Sequence, residues 1–441
     1  MLNDIKPENA VFVLVSFEGP DRYSLAGGLG VRMSELSRSL AETGYETHLI
    51  FVGDPSLPGK TIELGGKLTL YRWSQWVSQY YPGGVYDGEN EKLYDFDESV
   101  PGFVVEQIVR PAIADNKLVV IMGEDWHTAN TLPNISDILY QRGMRDNVLM
   151  LWNANNPMGF EKINWGRLGY VSTITTVSRF MKHYMWGLGI NPLVIPNGIP
   201  QRLFSYQTEN KADMVRERIG GDYFMFKIGR WDPDKRWNMA IEAAAQLKSM
   251  GLKPRMLIRG GAEPYEGEVL HNANRLGLNV AEVRPADNKL ESILDVIDSV
   301  SEADVLNLKF FVPDDLLAIF YRAADAVLAN SGMEPFGLVG LEAMAAGAVV
   351  FTGSTGEDYA QPFKNALVLE TDNPAEITSY LRSLDVGQIK KIRENARWTA
   401  AEFTWDKVNE ILLTRLNFLA NTSLPSEVLA KTKEGVRINY G

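Results

Sequence analysis

Arg230 and Lys235 stand five residues apart in Gly229-Arg230-Trp231-Asp232-Pro233-Asp234-Lys235, directly after the apolar run Tyr223–Ile228. A guanidinium offers a planar fork to phosphate oxygens and an ammonium a compact point charge, so the pair suits a phosphorylated ligand. Two solvated loop charges would look the same, and only the position after a strand favours the ligand. Two carboxylates lie further on: Glu334 precedes Pro335, and Glu342 lies eight residues later inside the apolar segment Leu338–Ala346. A carboxylate buried on an apolar helix is costly without a partner, which predicts that Glu342 meets either a ligand hydroxyl or a lysine or arginine. His127, in Glu124-Asp125-Trp126-His127, is one of four histidines and the one placed after a strand. A satisfied structural imidazole is the alternative. Gly27-Gly28-Leu29-Gly30 follows the first strand. Glycines let a ligand approach the backbone, and the helix that follows favours an anion, although a tight turn alone would also explain them.

The elements that must position these groups alternate strand and helix. Val11–Val15, Thr47–Val52, Leu118–Met122, Val148–Trp152 and Ile174–Val177 are predicted strands of a first domain. Tyr223–Ile228, Arg255–Ile258, Val305–Val312, Ala326–Ala329 and Val349–Thr352 are those of a second. Continuous apolar strands predict parallel sheets covered on both faces. Met33, Leu36 and Leu40 mark a helix ending near Gly44, and Ala240, Ala243, Ala244 and Leu247 mark another. The turn-rich Ile195–Pro200 breaks the pattern, so the fold class is α/β with two doubly wound, Rossmann-like domains facing a cleft. The first covers 1–197 and the second 198–405, and 406–441 is a helix and tail with Val408, Ile411, Leu412 and Leu419 on one face. Ligands of such sheets sit beyond the carboxyl ends of the strands. There the sequence also places Asn153, Asn155 and Asn156, then Arg259-Gly260-Gly261, and finally Gly353-Ser354-Thr355-Gly356.

Composition removes whole classes of function. The 441 residues carry a formal charge of −12, too acidic for a dominant nucleic-acid role. With no cysteine there is no disulfide, iron–sulfur cluster, thiolate nucleophile or cysteine-bound zinc. Scattered histidines predict no multi-histidine metal site, and Asp95-Phe96-Asp97 and Asp232-Pro233-Asp234 match the frequency that chance supplies for D-x-D. Apolar runs are too short for a membrane span and the polar start lacks a signal-peptide stretch, so a cytoplasmic protein is expected, with a homodimer left open. Aromatics crowd Arg72–Phe96, with Trp73, Trp76, Tyr80, Tyr81, Tyr86 and Tyr94. Such rings pack on the C–H faces of sugars, or else fill a core.

Taken together these residues resemble the retaining family 4 glycosyltransferases, nucleotide-sugar enzymes of the two-Rossmann GT-B fold. Glu334-Pro335-Phe336-Gly337-Leu338 through Glu342 is similar to that family's E-x7-E signature, and Gly229-Arg230 with Lys235 to its G-R-x4-K. The resemblance implies that Arg230 and Lys235 bind the donor diphosphate and that Glu334 contacts the donor sugar. It implies further that Phe336, Gly337 and Leu338 offer backbone N–H groups and that Glu342 holds the ribose. Asp125-Trp126-His127 is similar to the D-W-H of bacterial glycogen synthases and sucrose-phosphate synthases, where the histidine lies at the transferring sugar. Leu25 stands where glycogen synthases carry lysine, and Phe336 where they carry cysteine, which weakens a glucan-synthase assignment. The expected set is His127, Arg230, Lys235 and Glu334 for catalysis, and Gly28, Arg230, Lys235, Gly260, Glu334, Phe336, Gly337, Leu338 and Glu342 for the donor. Gly27, Asp125, Trp126, Asn153, Trp73 and Trp76 are expected at the acceptor. No metal or cofactor is expected; the nucleotide-diphospho-sugar is a substrate, of UDP-glucose type first and ADP-glucose next, and a carbohydrate or polyol is the acceptor. The rivals are an epimerase or phosphorylase on the same fold, a nicotinamide dehydrogenase using Asp54, and an inactive sugar-binding protein. Met33, where G-x-G-x-x-G needs its third glycine, counts against the dehydrogenase.

Overall fold

The computed structural model describes residues 4–204, 209–353 and 356–424. Ser354, Thr355 and the expected tail beyond residue 424 lie outside the described residues. The chain forms two units: one runs to Gly198 and resumes at Trp405, and the other is Ile199–Thr404.

The first unit holds strands β1 (Ala10–Val15), β2 (Glu46–Val52), β3 (Lys60–Glu63), β4 (Leu68–Trp73), β5 (Leu118–Glu124), β6 (Val148–Ala154), β7 (Thr173–Thr176) and β8 (Leu193–Val194). They lie in the order β3-β4-β2-β1-β5-β6-β7-β8. Every pairing is parallel except β3 with β4, an antiparallel edge. The expectation of a wholly parallel sheet is corrected there. β4 was not expected because Leu68-Thr69-Leu70-Tyr71-Arg72-Trp73 alternates, as a strand near a sheet edge does, instead of running continuously apolar.

β1 is buried along its whole length, with the helix Gly28–Glu42 leaning its Leu29, Met33, Leu36 and Leu40 on the sheet. The last helix, Trp405–Ser423, adds Trp405, Val408, Leu412, Leu416 and Ala420 to the same core. Asn409 Nδ2 donates to Ser39 Oγ at 2.8 Å, a buried link across those two helices.

The second unit orders β9 (Tyr223–Ile228), β10 (Pro254–Arg259), β11 (Val280–Val283), β12 (Val305–Leu308), β13 (Ala326–Ala329), β14 (Val350–Thr352) and β15 (Leu367–Val368) as β11-β12-β10-β9-β13-β14-β15. All its pairings are parallel. β12 stops at Leu308, short of the expected Val312, and Lys309 beyond it pairs with Glu266. Among the described residues no helix is long and apolar enough to cross a membrane.

In each sheet the strand order turns from descending to ascending at one point, between β1 and β5 and between β9 and β13. Such switch points open a crevice at the carboxyl ends of the strands.

Candidate active site

At the β1/β5 switch point the glycine loop leads into the helix Gly28–Glu42. A Cβ on Gly27 or Gly28 would meet nothing within 4 Å, so the fold does not demand glycine there and the open space suits a close ligand. Part of the helix N-terminus is already engaged by Glu18, a buried carboxylate three residues past β1. Its Oε2 accepts from the backbone N–H groups of Ala26, Gly27 and Gly30 at 3.2, 2.9 and 3.0 Å. Tyr86 donates its hydroxyl to the other oxygen. The anion expected at this helix end is therefore, in part, the chain's own.

His127 follows β5, its ring stacked on Phe17 at 4.3 Å and leaning on Trp126 at 3.9 Å. Burial pushes its pKa down to about 4, so the imidazole is neutral near pH 7. Nε2 lies 2.8 Å from Glu89 Oε1, and Nδ1 is buried without a partner. With the ring N–H given to Glu89, Nδ1 is left as a lone-pair acceptor.

Glu89 and Tyr86 come from one segment, held by Lys92. The fully buried Lys92 ammonium donates to the carbonyls of Gly84, Val85 and Asp87 and to the Tyr23 hydroxyl. Burial brings its pKa down to about 8.

Asp125 is locked inward. Asn155 N and Asn156 Nδ2 donate to its two oxygens at 2.7 and 2.8 Å. Full burial pushes its pKa up to about 8, with the charges of Glu124 and Glu18 adding to the rise. Its φ of 59° is a left-handed conformation that costs a non-glycine residue of order 1–3 kcal/mol, the kind of strain kept at functional sites. Asn153 donates to Glu124 and accepts from Thr175. Glu124 in turn pairs with the buried Arg32, whose Nη1 reaches Asn197 Oδ1 at 2.6 Å. Asp125 and Asn153, expected at the acceptor, thus work on the frame behind it.

Trp126 is half-buried, with Lys162 Nζ 3.8 Å from its ring centre. Trp73 gives its indole N–H to Ser99 and packs on Phe103. Trp76 is exposed, bonded to Asp95, in a groove of about 580 Å³ shared with Tyr80 and Tyr94. Among the described residues no hydrogen bond or ring contact ties Trp73 or Trp76 to His127 or the glycine loop. Tyr86 is the aromatic of that stretch that the structure brings to Glu18.

At the β9/β13 switch point Arg230 is exposed and its guanidinium has no partner among the described residues. Lys235 closes a short turn that Asp232 caps through Asp234 N. Lys235 is not a lone cation: its Nζ pairs with Glu334 Oε1 at 2.7 Å, joining two expected site residues 99 positions apart. Gly332 N also donates to Asp234 O at 2.8 Å, tying the loop after β13 to the loop after β9. Beneath them Lys227, fully buried, donates to Asn330 Oδ1 at 2.6 Å and to Leu328 O. Desolvation, with repulsion from Lys235 behind it, drives its pKa down to about 7.

Gly337 carries φ 84° and begins the helix Leu338–Ala345; a Cβ there would stand 2.7 Å from the Tyr359 hydroxyl, which donates to Gly337 O. Phe336 is buried against Tyr359 and Phe403, and Leu338 opens the helix. Glu342 is half-buried instead of buried, close enough to Tyr321 that its charge helps raise that hydroxyl's pKa beyond the effect of burial. Gly260 lies on the Trp231 indole, where a Cβ would come within 2.1 Å, so packing alone requires glycine there. Among the described residues no group of three or more His, Asp or Glu is placed to hold a metal ion. Asp54, the dehydrogenase candidate, caps Ser56 instead.

Residues 209–399 match the family described as Glycosyl transferases group 1. Over 93% of this chain and 88% of the relative, the sequence is 26% identical to a D-inositol 3-phosphate glycosyltransferase of Geodermatophilus obscurus. The chain is a glycosyltransferase whose residues 209–399 form a group 1 domain. Its GT-B fold is shared with a sucrose-phosphate synthase of Thermosynechococcus elongatus, at TM-score 0.64 and 18% identity over 93% of this chain and all of that one. It is shared equally with the catalytic domain of Arabidopsis thaliana starch synthase IV, solved with ADP and acarbose, at TM-score 0.64 and 13% identity over 95% and 99% of the two chains. For this glycosyltransferase the matched segment contains Arg230, Lys235, Glu334 and Glu342, whereas His127 and the glycine loop lie outside it.

Sequence reasoning missed Glu18, Arg32, Glu89 and Lys92, and named Tyr86 only as one of the crowded aromatics. Three had a signal: Glu18 follows a strand, Arg32 lies on the helix face of Leu29, Met33 and Leu36, and Lys92 shares a face with Phe96 and Val100. Glu89 had none, and nor did the pairing of Tyr86 with Glu18, because the partners are 38 and 68 positions away.

Proposed function

We propose that this glycosyltransferase is retaining and metal-independent, and that it moves a hexose from a nucleotide-diphospho-sugar to a carbohydrate or polyol acceptor. UDP-glucose is the favoured donor and ADP-glucose the next. One observation carries the reading: the unpartnered Arg230 guanidinium stands at the strand exit that also holds the Lys235–Glu334 pair. A diphosphate there gains a fork and a point charge, and Glu334 is left to accept from a sugar hydroxyl.

The bond from the sugar's anomeric carbon to the diphosphate breaks as the acceptor oxygen bonds to that carbon on the same face. A departing phosphate oxygen takes the acceptor's proton. Arg230 and Lys235 stabilise the charge that grows on the leaving group. Neutral His127, fixed by Glu89 in the first unit's crevice, suits a sugar hydroxyl there. The relatives named for inositol phosphate and sucrose phosphate support transfer to a small polyhydroxylated acceptor.

Incubation with a panel of nucleotide sugars, scoring released nucleotide and the anomeric coupling constant of the product, tests this. An α-linked product from an α-linked donor is expected. Inverted products, or no nucleotide release from any donor, would sink it.

A further inference from the structure

Relatives are named for phosphorylated substrates or products, whereas in the first unit of this chain a buried carboxylate, Glu18, takes the helix-start N–H groups. We propose that the chain's acceptor is an unphosphorylated sugar or polyol, and that Glu18 is the residue that disfavours phosphorylated ones. This rests on the function proposed above. Backbone N–H groups converging at a helix start are the usual seat of a phosphate. Here Ala26, Gly27 and Gly30 converge on one oxygen of Glu18, a side chain 5% exposed whose second oxygen is held by Tyr86.

Arg22 apart, four cations of this unit are engaged in the same way. Arg32 turns to Glu124 and Asn197, Arg72 to Asp21, and Lys92 to three carbonyls. Lys162 lies over the Trp126 ring and Arg22 is exposed. Around His127 stand the carboxylates of Glu89 and Glu18 and the buried, unpartnered lone pair of His127 Nδ1. All are acceptors. Sugar hydroxyls can donate to them, whereas a phosphate dianion can only be repelled.

The test pairs acceptors that differ by the phosphate alone: glucose with glucose 6-phosphate, fructose with fructose 6-phosphate, and inositol with inositol 3-phosphate. Each is assayed with the donor that releases nucleotide. In every pair that reacts, kcat/KM should favour the unphosphorylated member at least tenfold. Glu18→Gln should cut that preference severalfold, mainly by improving the phosphorylated member. If Glu18→Gln does not fold, Tyr86→Phe, which leaves the Glu18 charge in place, should retain the preference. Higher kcat/KM for a phosphorylated member, a preference that Glu18→Gln leaves unmoved, or one that Tyr86→Phe abolishes would overturn the inference. So would nucleotide release into water that no unphosphorylated member accepts or inhibits. Absence of nucleotide release from every donor would instead sink the proposed function itself.

Discussion

The two switch points share a frame and differ in sign. Each lies where strand order reverses, and each gathers loops from the two flanking strands. At β1/β5 the charged groups are turned on one another: Glu18 on the glycine loop, Arg32 on Glu124, and Lys92 on carbonyls. At β9/β13 Arg230 is exposed with no partner among the described residues, beside the Lys235–Glu334 and Arg236–Asp372 pairs. A shared strand order at the switch point therefore does not set what a crevice binds. The residues just past each strand do.

The largest effect that could break this contrast is at the cationic exit. Arg230→Ala and Lys235→Ala should each lower kcat by a factor of about 10²–10³, in the range of about 3–4 kcal/mol for losing a transition-state charge partner. Arg230→Ala should leave Tm nearly unchanged, because the guanidinium has no partner to lose. Turnover close to wild type in both variants would refute the assignment of this exit to the leaving group.

Next is the clamp on the other side. Lys92→Met removes the donor for three backbone carbonyls and should cost about 3 kcal/mol of stability, read by urea denaturation. Because that segment supplies Tyr86 and Glu89, acceptor KM should rise while donor KM holds. A rise in donor KM alone would contradict the division between the two crevices.

The third sharpens the electrostatics through two titrations of opposite sign. His127 has its pKa lowered to about 4 from 6.5, so its contribution is full above pH 6.5 and is lost as pH falls toward 4. Asp125 has its pKa raised to about 8 from 3.8, so its contribution is full below pH 3.8 and is lost as pH rises through 8. Wild-type stability minus that of His127→Gln should therefore fall on acidification, by up to about 3 kcal/mol. The same difference for Asp125→Asn should fall on going from pH 6 to 9. Flat differences would mean that the burial of these two groups does not control their charge.

The smallest expected effect is none. Turnover should persist after exhaustive treatment with EDTA, and loss restored by manganese or magnesium would overturn the metal-independent reading.

The fold was legible where strands are buried on both faces. β1, β5, β9 and β13, the strands that flank the switch points, were within reach because Val11–Val15 or Ala326–Ala329 reads as continuous apolar chain. β4 and β11 were not, since polar residues break their runs, and Val305–Val312 was read too long because periodicity alone does not mark where a chain leaves its sheet. The candidate residues at strand exits were legible for the same topological reason. Their pairings were not: nothing local in the sequence shows that Lys235 meets Glu334, that Glu89 meets His127, or that the glycine loop is bound by Glu18. Those contacts follow from long-range packing.

The last helix has a consequence for biosynthesis. Trp405–Ser423 completes the core of the first unit, yet it follows the whole of the second in the chain, and Ile199 N donates to Phe403 O at 2.8 Å where the second unit begins and ends. On the ribosome the second unit emerges in full while the first still lacks a core helix. The order of completion is therefore the reverse of the order of synthesis. Nascent chains arrested before Trp405 expose the apolar surface that Val408, Leu412 and Leu416 later cover, and that interval is when the protein has most need of a chaperone.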